Sequence, residues 1–386
     1  MTKTSLTTHY FDDPLGGLGD RQWDEMAGDH FYSSAFWLRL CTSERAGPFG
    51  GVHVEVPGGG RAAVPVIAVG DDPHPNTRWD TLLAARGLPS PPPHGTLVGQ
   101  LRGYLAHVLS TPDAAPEAAA AELLAAVRSA AAPVPAGERA QVALYLTTPD
   151  VLRLQAAGVT SPPVALAADA WIEIPAGGWE AWLASLGSSH RARRIRSEVR
   201  KFEQAGYRIR QQPLSEAYED VARLTAATVH RYGKRADVAA NTEAFRKQGL
   251  LAGPRAQVLL CDHDDGTPPV ACCLYYRAGD TVYLRAVGFE YDRLRGAAEY
   301  FNLAYYIPAR LPGVRMLHAG MSTPDGKALR GAQLRPLWLL DLSERSVLAG
   351  HADQVSAHNA AFRERLAGTS PAVARSLRTE LWQTLF

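Results

Sequence analysis

The chain has 386 residues, of which 46% are hydrophobic and 20% charged, and its formal net charge is +1. This length predicts two or three domains, and the composition excludes disordered and fibrous classes of protein. The balanced charge excludes a global field that would attract nucleic acid or a membrane, so any electrostatic partner must be bound by a local patch.

The chain carries no targeting, membrane or metal signal. Its N-terminus lacks the apolar segment of a signal peptide, and no run reaches the roughly 18 apolar residues of a membrane span, which predicts a cytoplasmic protein without a membrane partner. Its four cysteines lack C-x-x-C and histidine spacing, so we expect no metal site and buried free thiols. They are Cys41, Cys261, Cys272 and Cys273.

Short strands and helices alternate in the first half. Apolar runs at 52–56 and 62–69 flank a Pro-Gly-Gly-Gly segment and predict a hairpin. Residues 71–99 are rich in Pro and Gly and predict an irregular loop, whereas 101–109 and 116–131 predict helices. The other predicted elements of this half are a strand at 141–147, a helix at 149–157 and a strand at 164–174.

A second series of elements begins near residue 179. Its order of helices, antiparallel strands, helix, strand, helix and strand predicts an α/β fold with a mixed sheet. The predicted elements are helices at 189–205, 214–232 and 241–251, strands at 256–261, 270–277 and 281–288, a helix at 296–311, strands at 314–319 and 337–342, and a helical tail from 353.

The strongest chemical signal is a strand that runs directly into a glycine-containing loop and then into a helix. The loop has the pattern Arg293-x-x-Gly296-x-Ala298. Small residues let the backbone approach a bulky anion, and the free N–H groups of a first helical turn favour negative charge there. The pattern predicts a pyrophosphate site, although Gly296 can also be a simple turn residue. The predicted donor-binding residues are Ala286, Val287, Gly288, Arg293, Arg295, Gly296, Ala297 and Ala298.

This strand–loop–helix unit resembles the acyl-CoA-binding element of GNAT-family N-acyltransferases, which carry a Q/R-x-x-G-x-G/A loop at this place. Two further segments resemble the BioF2-like and FemAB-like branch, in which two GNAT-type domains are fused. One is Ser-His-Arg-Ala-Arg-Arg-Ile-Arg at 189–196, and the other is Lys-Ala-Leu-Arg-Gly-Ala at 327–332. The resemblance covers about residues 180–342 and is faint before residue 170.

The resemblance implies an α/β fold of two GNAT-like domains, each a mixed, mostly antiparallel sheet flanked by helices. We place a degenerate N-terminal domain at 1–175, a C-terminal domain with the donor-binding loop at 176–345, and a helical tail at 346–386. The sequence does not predict the oligomeric state.

Three functions are compatible with the resemblance. The preferred one is direct transfer of an acyl group from acyl-CoA to the amine of a small molecule or amino acid, because the phosphate-loop pattern is intact. The second uses aminoacyl-tRNA as the donor, since this branch includes such enzymes. The third is a non-catalytic binding protein with the same fold. No Ser-His-Asp or Cys-His arrangement is evident, which favours direct transfer over a covalent intermediate.

The basic helix at 189–205 is the candidate surface for a phosphate-rich ligand. It carries Arg191 and Arg194 among six basic residues. Such density can bind a CoA phosphate or a tRNA backbone, and it is equally compatible with a solvated helix that links two domains.

Amide formation needs a base and a group that stabilises the leaving thiolate or hydroxyl. Glu290, just past the donor strand, is the candidate base, and its alternative role is a loop carboxylate paired with a neighbouring arginine. Tyr306 is a candidate at the leaving group, and His318 is a candidate site residue because it ends an apolar strand just before Gly320. Burial in the core is the alternative for both.

Two further sets of site residues follow from the resemblance. Lys327 and Arg330 match the family's lysine-containing segment, so Lys327 is a catalytic candidate and Arg330 a substrate-binding one. His230, Arg231 and Tyr232 correspond to part of the acceptor wall, although basic residues at a helix C-terminus also complement its dipole.

Overall fold

The structure is a computed structural model that describes residues 13–43, 48–70, 77–99, 103, 105–129, 139–263, 265–377 and 380–383. Its strands, in chain order, are β1 (Phe49–Glu55), β2 (Arg61–Val69), β3 (Gly95–Val98), β4 (Leu109–Ser110), β5 (Ala140–Leu146), β6 (Val164–Glu173), β7 (Arg208–Pro213), β8 (Ala256–Asp262), β9 (Ala271–Ala278), β10 (Thr281–Phe289), β11 (Met316–Gly320) and β12 (Gln333–Asp341).

The helices of the described residues are short in the first half and longer around the start of the second. In chain order they are α1 (Asp20–Ala27), α2 (Ala35–Ser43), α3 (Trp79–Ala84), α4 (Pro116–Ser129), α5 (Thr148–Ala156), α6 (Gly178–Ser185), α7 (Ser189–Gln204), α8 (Leu214–Arg231), α9 (Val238–Ala252), α10 (Glu299–Phe301), α11 (Pro324–Ala328), α12 (Ala352–Ala367), α13 (Pro371–Ser376) and α14 (Glu380–Gln383).

The chain divides into two compact units. Unit 1 comprises Met1–Asp169 together with Arg335–Phe386, and unit 2 comprises Ala170–Leu334. The divisions fall within β6 and β12, so each of these strands contributes residues to both units. The tail after residue 345, which the sequence analysis treated separately, belongs to unit 1.

The sheet of unit 1 has the strand order β1-β2-β3-β5-β12-β6, and β4 pairs with β2. The pairing of β3 with β5 is parallel, whereas β1 with β2, β2 with β3, and β5 with β12 are antiparallel. Helix α4 lies in the chain between β3 and β5, because parallel neighbours need a crossover connection.

Helices cover both faces of this sheet. Residues Val64 and Val66 of β2 belong to one apolar cluster with side chains from α4 and α5. Residues Ile67 and Val69 belong to a second cluster, which includes Trp79 of α3. Since successive side chains of a strand point to opposite faces, the two clusters lie on opposite sides of the sheet.

The sheet of unit 2 has the order β6-β11-β10-β9-β8-β7 and uses residues 170–173 of β6. The pairing of β10 with β11 is parallel, whereas β6 with β11, β9 with β10, β8 with β9, and β7 with β8 are antiparallel. Helices α8 and α9 pack on each other, and α8 also packs on β10. Each unit is thus a mixed, mostly antiparallel sheet with helices, which confirms the predicted fold class.

Helix α7 shows how the sequence specifies an element of unit 2. Ser188 is its N-cap, and its Oγ accepts a hydrogen bond of 3.3 Å from the Arg191 N–H. The spacing of Ile195, Val199 and Phe202 places them on one face of the helix, and all three are buried. The helix ends before Gly206, whose φ is +68°.

Several predicted elements of the first half are confirmed and two are wrong. The hairpin and the alanine-rich helix are confirmed as β1, β2 and α4. The predicted loop at 71–99 contains α3 and β3, and its residues 71–76 lie outside the described residues. In the predicted helix at 101–109, residues 101, 102 and 104 lie outside the described part, and Ala106 forms a β-bridge to Leu146. Tertiary pairing overrides local propensity in both segments.

The helix predicted at 296–311 is also wrong in its start and its type. It begins at Glu299, changes to a π-type turn at Asn302–Tyr306 and ends in a 3-10 turn at Pro308–Arg310. Ala298 precedes it in the left-handed conformation, with φ of 57°. A loop residue in that conformation cannot form the first turn of the helix, so the helix starts after the loop.

Close packing of α8 explains why residue 288 of β10 is a glycine. A Cβ atom there would lie 2.4 Å from the Leu224 carbonyl carbon and 2.5 Å from the Thr225 nitrogen, both backbone atoms of α8. We therefore expect Gly288→Ala to lower the free energy of unfolding by about 1–3 kcal/mol, because the backbone must shift. Urea denaturation tests this, with Gly350→Ala as the control, since its Cβ would meet nothing within 4 Å. Equal losses in the two variants would contradict the explanation.

Candidate active site

The parallel pair of unit 2 separates shortly after it begins. Only three residue pairs join β10 to β11, ending at Tyr283 and His318, whereas β10 continues to Phe289. Residues 284–287, which we call the open edge of β10, are all half-buried. The ladder to β9 shifts register between Leu284 and Ala286, so Arg285 sits in a β-bulge. Bulges of this kind re-aim side chains next to binding sites.

The open edge carries two of the predicted donor-binding residues, Ala286 and Val287. The third predicted strand residue, Gly288, is buried against α8. Its small size therefore serves helix packing, and only the first two lie where a ligand can reach them.

A buried lysine lies at the carboxyl end of β11. Lys327 of α11 is 3% exposed, and its Nζ donates a hydrogen bond of 2.8 Å to the carbonyl oxygen of Gly320. His318 is fully buried, and its ring lies 4.7 Å from Trp171 and 5.4 Å from Tyr283. Of these two catalytic candidates, Lys327 lies at the end of the strand, and His318 is enclosed by aromatic rings.

One carboxylate that sequence reasoning missed joins three of the predicted residues. The Oε2 atom of Glu198, on α7, accepts hydrogen bonds from the Tyr306 hydroxyl and from Nη2 of Arg330, the latter at 3.0 Å. Its Oε1 accepts from Nε of Arg194 at 3.0 Å. The Tyr306 hydroxyl in turn accepts from Nε of Arg330 at 2.8 Å. We call these four residues the Glu198 network.

The Glu198–Arg330 pair of the network is largely shielded from solvent, whereas Arg194 is exposed. The Arg330 side chain is 5% exposed and that of Glu198 is 13% exposed. Arg330 also lies 3.4 Å from the centroid of the Phe301 ring and donates through Nη1 to the Gly326 carbonyl oxygen. Burial raises the pKa of Tyr306, so its phenol stays protonated and acts as a hydrogen-bond donor at physiological pH.

The network fixes α11 relative to α7, which is its clearest structural consequence. Arg330 follows Lys327 by three residues, so an arginine bonded to α7 holds the short segment that carries the lysine. The spacing of Arg194 and Glu198, four residues apart on one helix, was the only local signal for part of this set.

A second carboxylate that sequence reasoning missed accepts hydrogen bonds from the backbone of the predicted phosphate loop. The Oε1 atom of Glu299 accepts hydrogen bonds from the backbone N–H groups of Arg295 and Ala297, at 3.1 and 2.9 Å. It also accepts one from the Tyr207 hydroxyl at 2.8 Å. Glu299 is 5% exposed. The loop amides therefore surround a buried anionic oxygen that belongs to the chain itself.

Contacts with residues outside the loop also hold it in place. The Arg295 guanidinium donates to the Ala205 carbonyl oxygen and lies 5.3 Å from the Tyr207 ring centroid. His263 donates through Nε2 to the Arg293 carbonyl oxygen at 2.9 Å. Gly296 has φ of +71° and open space where a Cβ would be, which matches its alternative role as a turn residue.

The candidate base Glu290 is engaged in ion pairs on the surface. Its Oε2 lies 2.8 Å from Nη1 of Arg293 and 3.4 Å from Nη1 of Arg223. Arg293 also donates to the Thr267 hydroxyl. The contacts are those of the alternative role, a loop carboxylate paired with neighbouring arginines.

The predicted acceptor-wall residues lie at the exposed C-terminus of α8. Tyr232 is 72% exposed, and Arg231 lies 5.5 Å from the centroid of the Tyr291 ring. The His230 Nε2 accepts a hydrogen bond of 3.3 Å from the Ala236 N–H. None of these three contacts the Glu198 network in the described residues, so the structure does not bring them together with Lys327.

The basic face of α7 is only partly neutralised. Arg194 pairs with Glu198, and Arg196 pairs with Glu180 at 2.5 Å. Arg193, Arg200 and Lys201 are exposed and have no ion-pair partner among the described residues. Arg193 and Arg200 are seven residues apart and therefore share one face of the helix.

Unit 1 contains a histidine–aspartate pair that sequence reasoning also missed. Nδ1 of His107 lies 2.9 Å from Oδ2 of Asp150, which also accepts from the Thr147 hydroxyl at 2.6 Å. The ring of His30 stacks on His107 at 3.7 Å. The pair connects the segment before β4 to the start of α5. His107 also lines a cavity whose other walls are aliphatic or glycine residues.

Metal-binding clusters and membrane-spanning helices are both absent from the described residues. No group of three or more His, Cys, Asp or Glu side chains is arranged to hold a metal ion there. Among the helices that the structure describes, none has the length and apolar character needed to cross a membrane. The four cysteines are free and buried, and burial raises the pKa of the Cys273 thiol to about 12.

No family model matches the sequence, and no curated protein matches it. Many solved structures are similar in fold, among them the following three. FemX has a TM-score of 0.57 at 13% identity and covers 84% of this chain and 96% of its own. The C-terminal domain (DUF2156) of a protein described as a lysylphosphatidylglycerol synthetase, from Agrobacterium fabrum, has a TM-score of 0.52 at 13% identity and covers 88% and 95%.

The third is a protein of unknown function from Bacteroides thetaiotaomicron, with a TM-score of 0.51 at 11% identity over 88% of this chain and 95% of that one. Identities this low show the fold alone. The narrower BioF2-like branch stays a prediction. The chain therefore has the two-unit, GNAT-like fold that it shares with FemX.

Proposed function

We propose that this chain transfers an acyl or aminoacyl group to an amine at the open edge of β10. The observation that carries the proposal is the early separation of β10 from β11, with the buried side chain of Lys327 at the end of β11. Where β11 has separated from it, the edge of β10 offers backbone groups to an extended acyl donor, and a nearby lysine cation stabilises negative charge that develops during the reaction.

The roles of the chain's residues follow from the chemistry of the step. The acceptor nitrogen attacks the donor carbonyl, so a C–N bond forms and the bond to the leaving oxygen or sulfur breaks, while the nitrogen loses a proton and the leaving group takes one up. The Lys327 ammonium is the candidate for stabilising the leaving group. The Glu198 network acts through Lys327 by holding α11 in place.

We further propose that the donor is an aminoacyl-tRNA rather than an acyl-CoA. Two observations support this choice. The loop amides that would bind a pyrophosphate already donate to Glu299. The unpaired basic side chains of α7 offer an extended cationic surface to a phosphate backbone, which a tRNA presents and a small thioester does not.

The direct test is amide formation by the purified protein with a panel of amines. One arm contains total aminoacyl-tRNA and the other contains a mixture of short acyl-CoA esters, and mass spectrometry identifies the products. We expect amide product in the tRNA arm that disappears after RNase treatment. Product in the acyl-CoA arm alone would show that the donor is an acyl-CoA. Product in neither arm would support the non-catalytic alternative.

The α7 surface gives a second prediction. Arg193→Glu with Arg200→Glu is expected to weaken tRNA binding by roughly tenfold or more, and to reduce the slope of log K against log salt by about 2. Filter binding across salt concentrations measures both quantities. Arg345→Glu with Arg375→Glu makes the same change of charge at exposed sites in unit 1 and is the matched control. Equal losses in the two double variants would contradict a specific role for α7.

A further inference from the structure

We propose that Glu299 is the resident anion of the loop at 293–298 and that it excludes pyrophosphate-bearing donors from that loop. The proposal deepens the donor assignment above and rests on the proposed transferase function for its biological meaning. The binding behaviour that it predicts can be measured without any activity.

The position of the carboxylate carries the argument. A single oxygen, Oε1 of Glu299, receives three hydrogen bonds, from the Arg295 and Ala297 amides and from the Tyr207 hydroxyl. Loop amides that converge on one anionic oxygen form the arrangement by which such loops bind phosphate. The site is therefore an anion site of the loop backbone, and its ligand is a side chain of the same chain.

The surroundings make this internal ligand hard to displace. Glu299 is 5% exposed, so an incoming phosphate would have to expel a buried carboxylate that is fully hydrogen-bonded at one oxygen. Two anions cannot share the two amides, because like charges at this distance repel strongly where water is excluded. The position of the Glu299 side chain and its charge therefore both oppose phosphate binding.

Tyr207 also opposes phosphate binding at this loop. Its hydroxyl accepts from the Arg295 N–H at 2.7 Å while it donates to Glu299. Burial raises the pKa of Tyr207, so the hydroxyl keeps the proton that it donates. The Arg295 side chain, which could otherwise bind a phosphate, is turned toward Ala205 and the Tyr207 ring.

The competing explanation is that Glu299 only stabilises the loop. A carboxylate in the first turn of a helix commonly bonds the preceding amides. Under that explanation, removal of the charge loosens the loop and creates no affinity for phosphate. Under our proposal, removal of the charge leaves the Ala297 amide, together with the Arg295 amide that the Tyr207 hydroxyl also accepts from, for an external anion to bind.

The experiment is calorimetric titration of the full chain with CoA and, separately, with inorganic pyrophosphate. The variants are Glu299→Ala, which empties the position, and Glu299→Gln, which keeps its size and removes its charge. Glu216→Ala, an exposed glutamate of α8, is the matched control. Thermal melting of each variant establishes that it is folded before the titration is interpreted.

We expect the wild-type chain and Glu216→Ala to bind neither probe at millimolar concentration. Glu299→Ala is expected to bind both with an affinity at least about tenfold higher, and Glu299→Gln to show a smaller gain. Folded Glu299 variants without any gain would overturn the proposal, and so would a gain for CoA without one for pyrophosphate. If Glu299→Ala is unfolded, Glu299→Gln alone decides the outcome.

These outcomes are separable from those of the transferase assay. A wild-type chain that binds CoA as tightly as its variants would overturn the exclusion by Glu299, whichever donor it uses. A chain that transfers from tRNA while its Glu299 variants gain no phosphate affinity would keep its function and lose only this inference.

Discussion

Replacing Arg330 with methionine is expected to lower the free energy of unfolding by about 3–5 kcal/mol. Arg330 is almost fully buried, and its removal leaves the Glu198 carboxylate in a shielded site without its main counter-charge. The Tyr306 hydroxyl and the Gly326 carbonyl oxygen lose hydrogen bonds at the same time. Urea denaturation followed by tryptophan fluorescence measures the change, since Trp179 and Trp182 lie beside Tyr306.

Two further variants test whether the loss in Arg330→Met comes from the buried pair with Glu198. Arg246→Met breaks an exposed pair with Glu243 and is expected to cost less than about 1 kcal/mol. Combining Arg330→Met with Glu198→Gln removes both charges, and we expect it to recover part of the loss because no unpaired buried charge remains. If Arg330→Met and Arg246→Met cost the same, the Glu198 network does not stabilise unit 2.

Replacing Lys327 with methionine is expected to reduce kcat/KM for the proposed transfer by on the order of 10²-fold. Methionine keeps the length of the side chain and removes the charge at the carboxyl end of β11. The loss should fall mainly on kcat if the ammonium stabilises the leaving group only in the transition state. Steady-state kinetics with the donor that the transfer assay identifies measures it.

The Lys327 variant also loses a buried hydrogen bond to the Gly320 carbonyl oxygen, so stability must be measured beside activity. Lys247→Met, on the exposed face of α9, removes a lysine without touching the site and is expected to leave kcat/KM unchanged. A folded Lys327→Met protein with wild-type kinetics would show that the charge is structural.

Local patterns predicted much of the fold because the physics behind them is local. The hairpin of β1 and β2, the alanine-rich α4 and the stripe of α7 follow from turn residues, helix propensity and side-chain periodicity. The irregular loop at 71–99 failed as a prediction because β3 is only four residues long and has parallel pairing with β5. Such pairing depends on residues far away in the chain and leaves no local signature.

The sequence indicates individual candidate residues, but it does not indicate how their side chains are arranged around Glu198. Tyr306, Arg330 and Arg194 were each chosen for separate reasons, and no pattern indicated that Glu198 joins them over sequence separations of up to 132 residues. The same limit applies to Glu299. Its position five residues after Leu294 is visible in the sequence, but its orientation toward the loop amides depends on the left-handed Ala298.

The division of the chain between the two units has a consequence for protein synthesis. Unit 2 is one continuous stretch, Ala170–Leu334, and all of it is synthesised before the last described strand of unit 1 is complete. Residues 335–341 of β12 lie between β5 and β6 in the sheet of unit 1. The nascent first half must therefore hold an incomplete sheet, with β5 and β6 unjoined, until the final segment of the chain emerges to fill the gap.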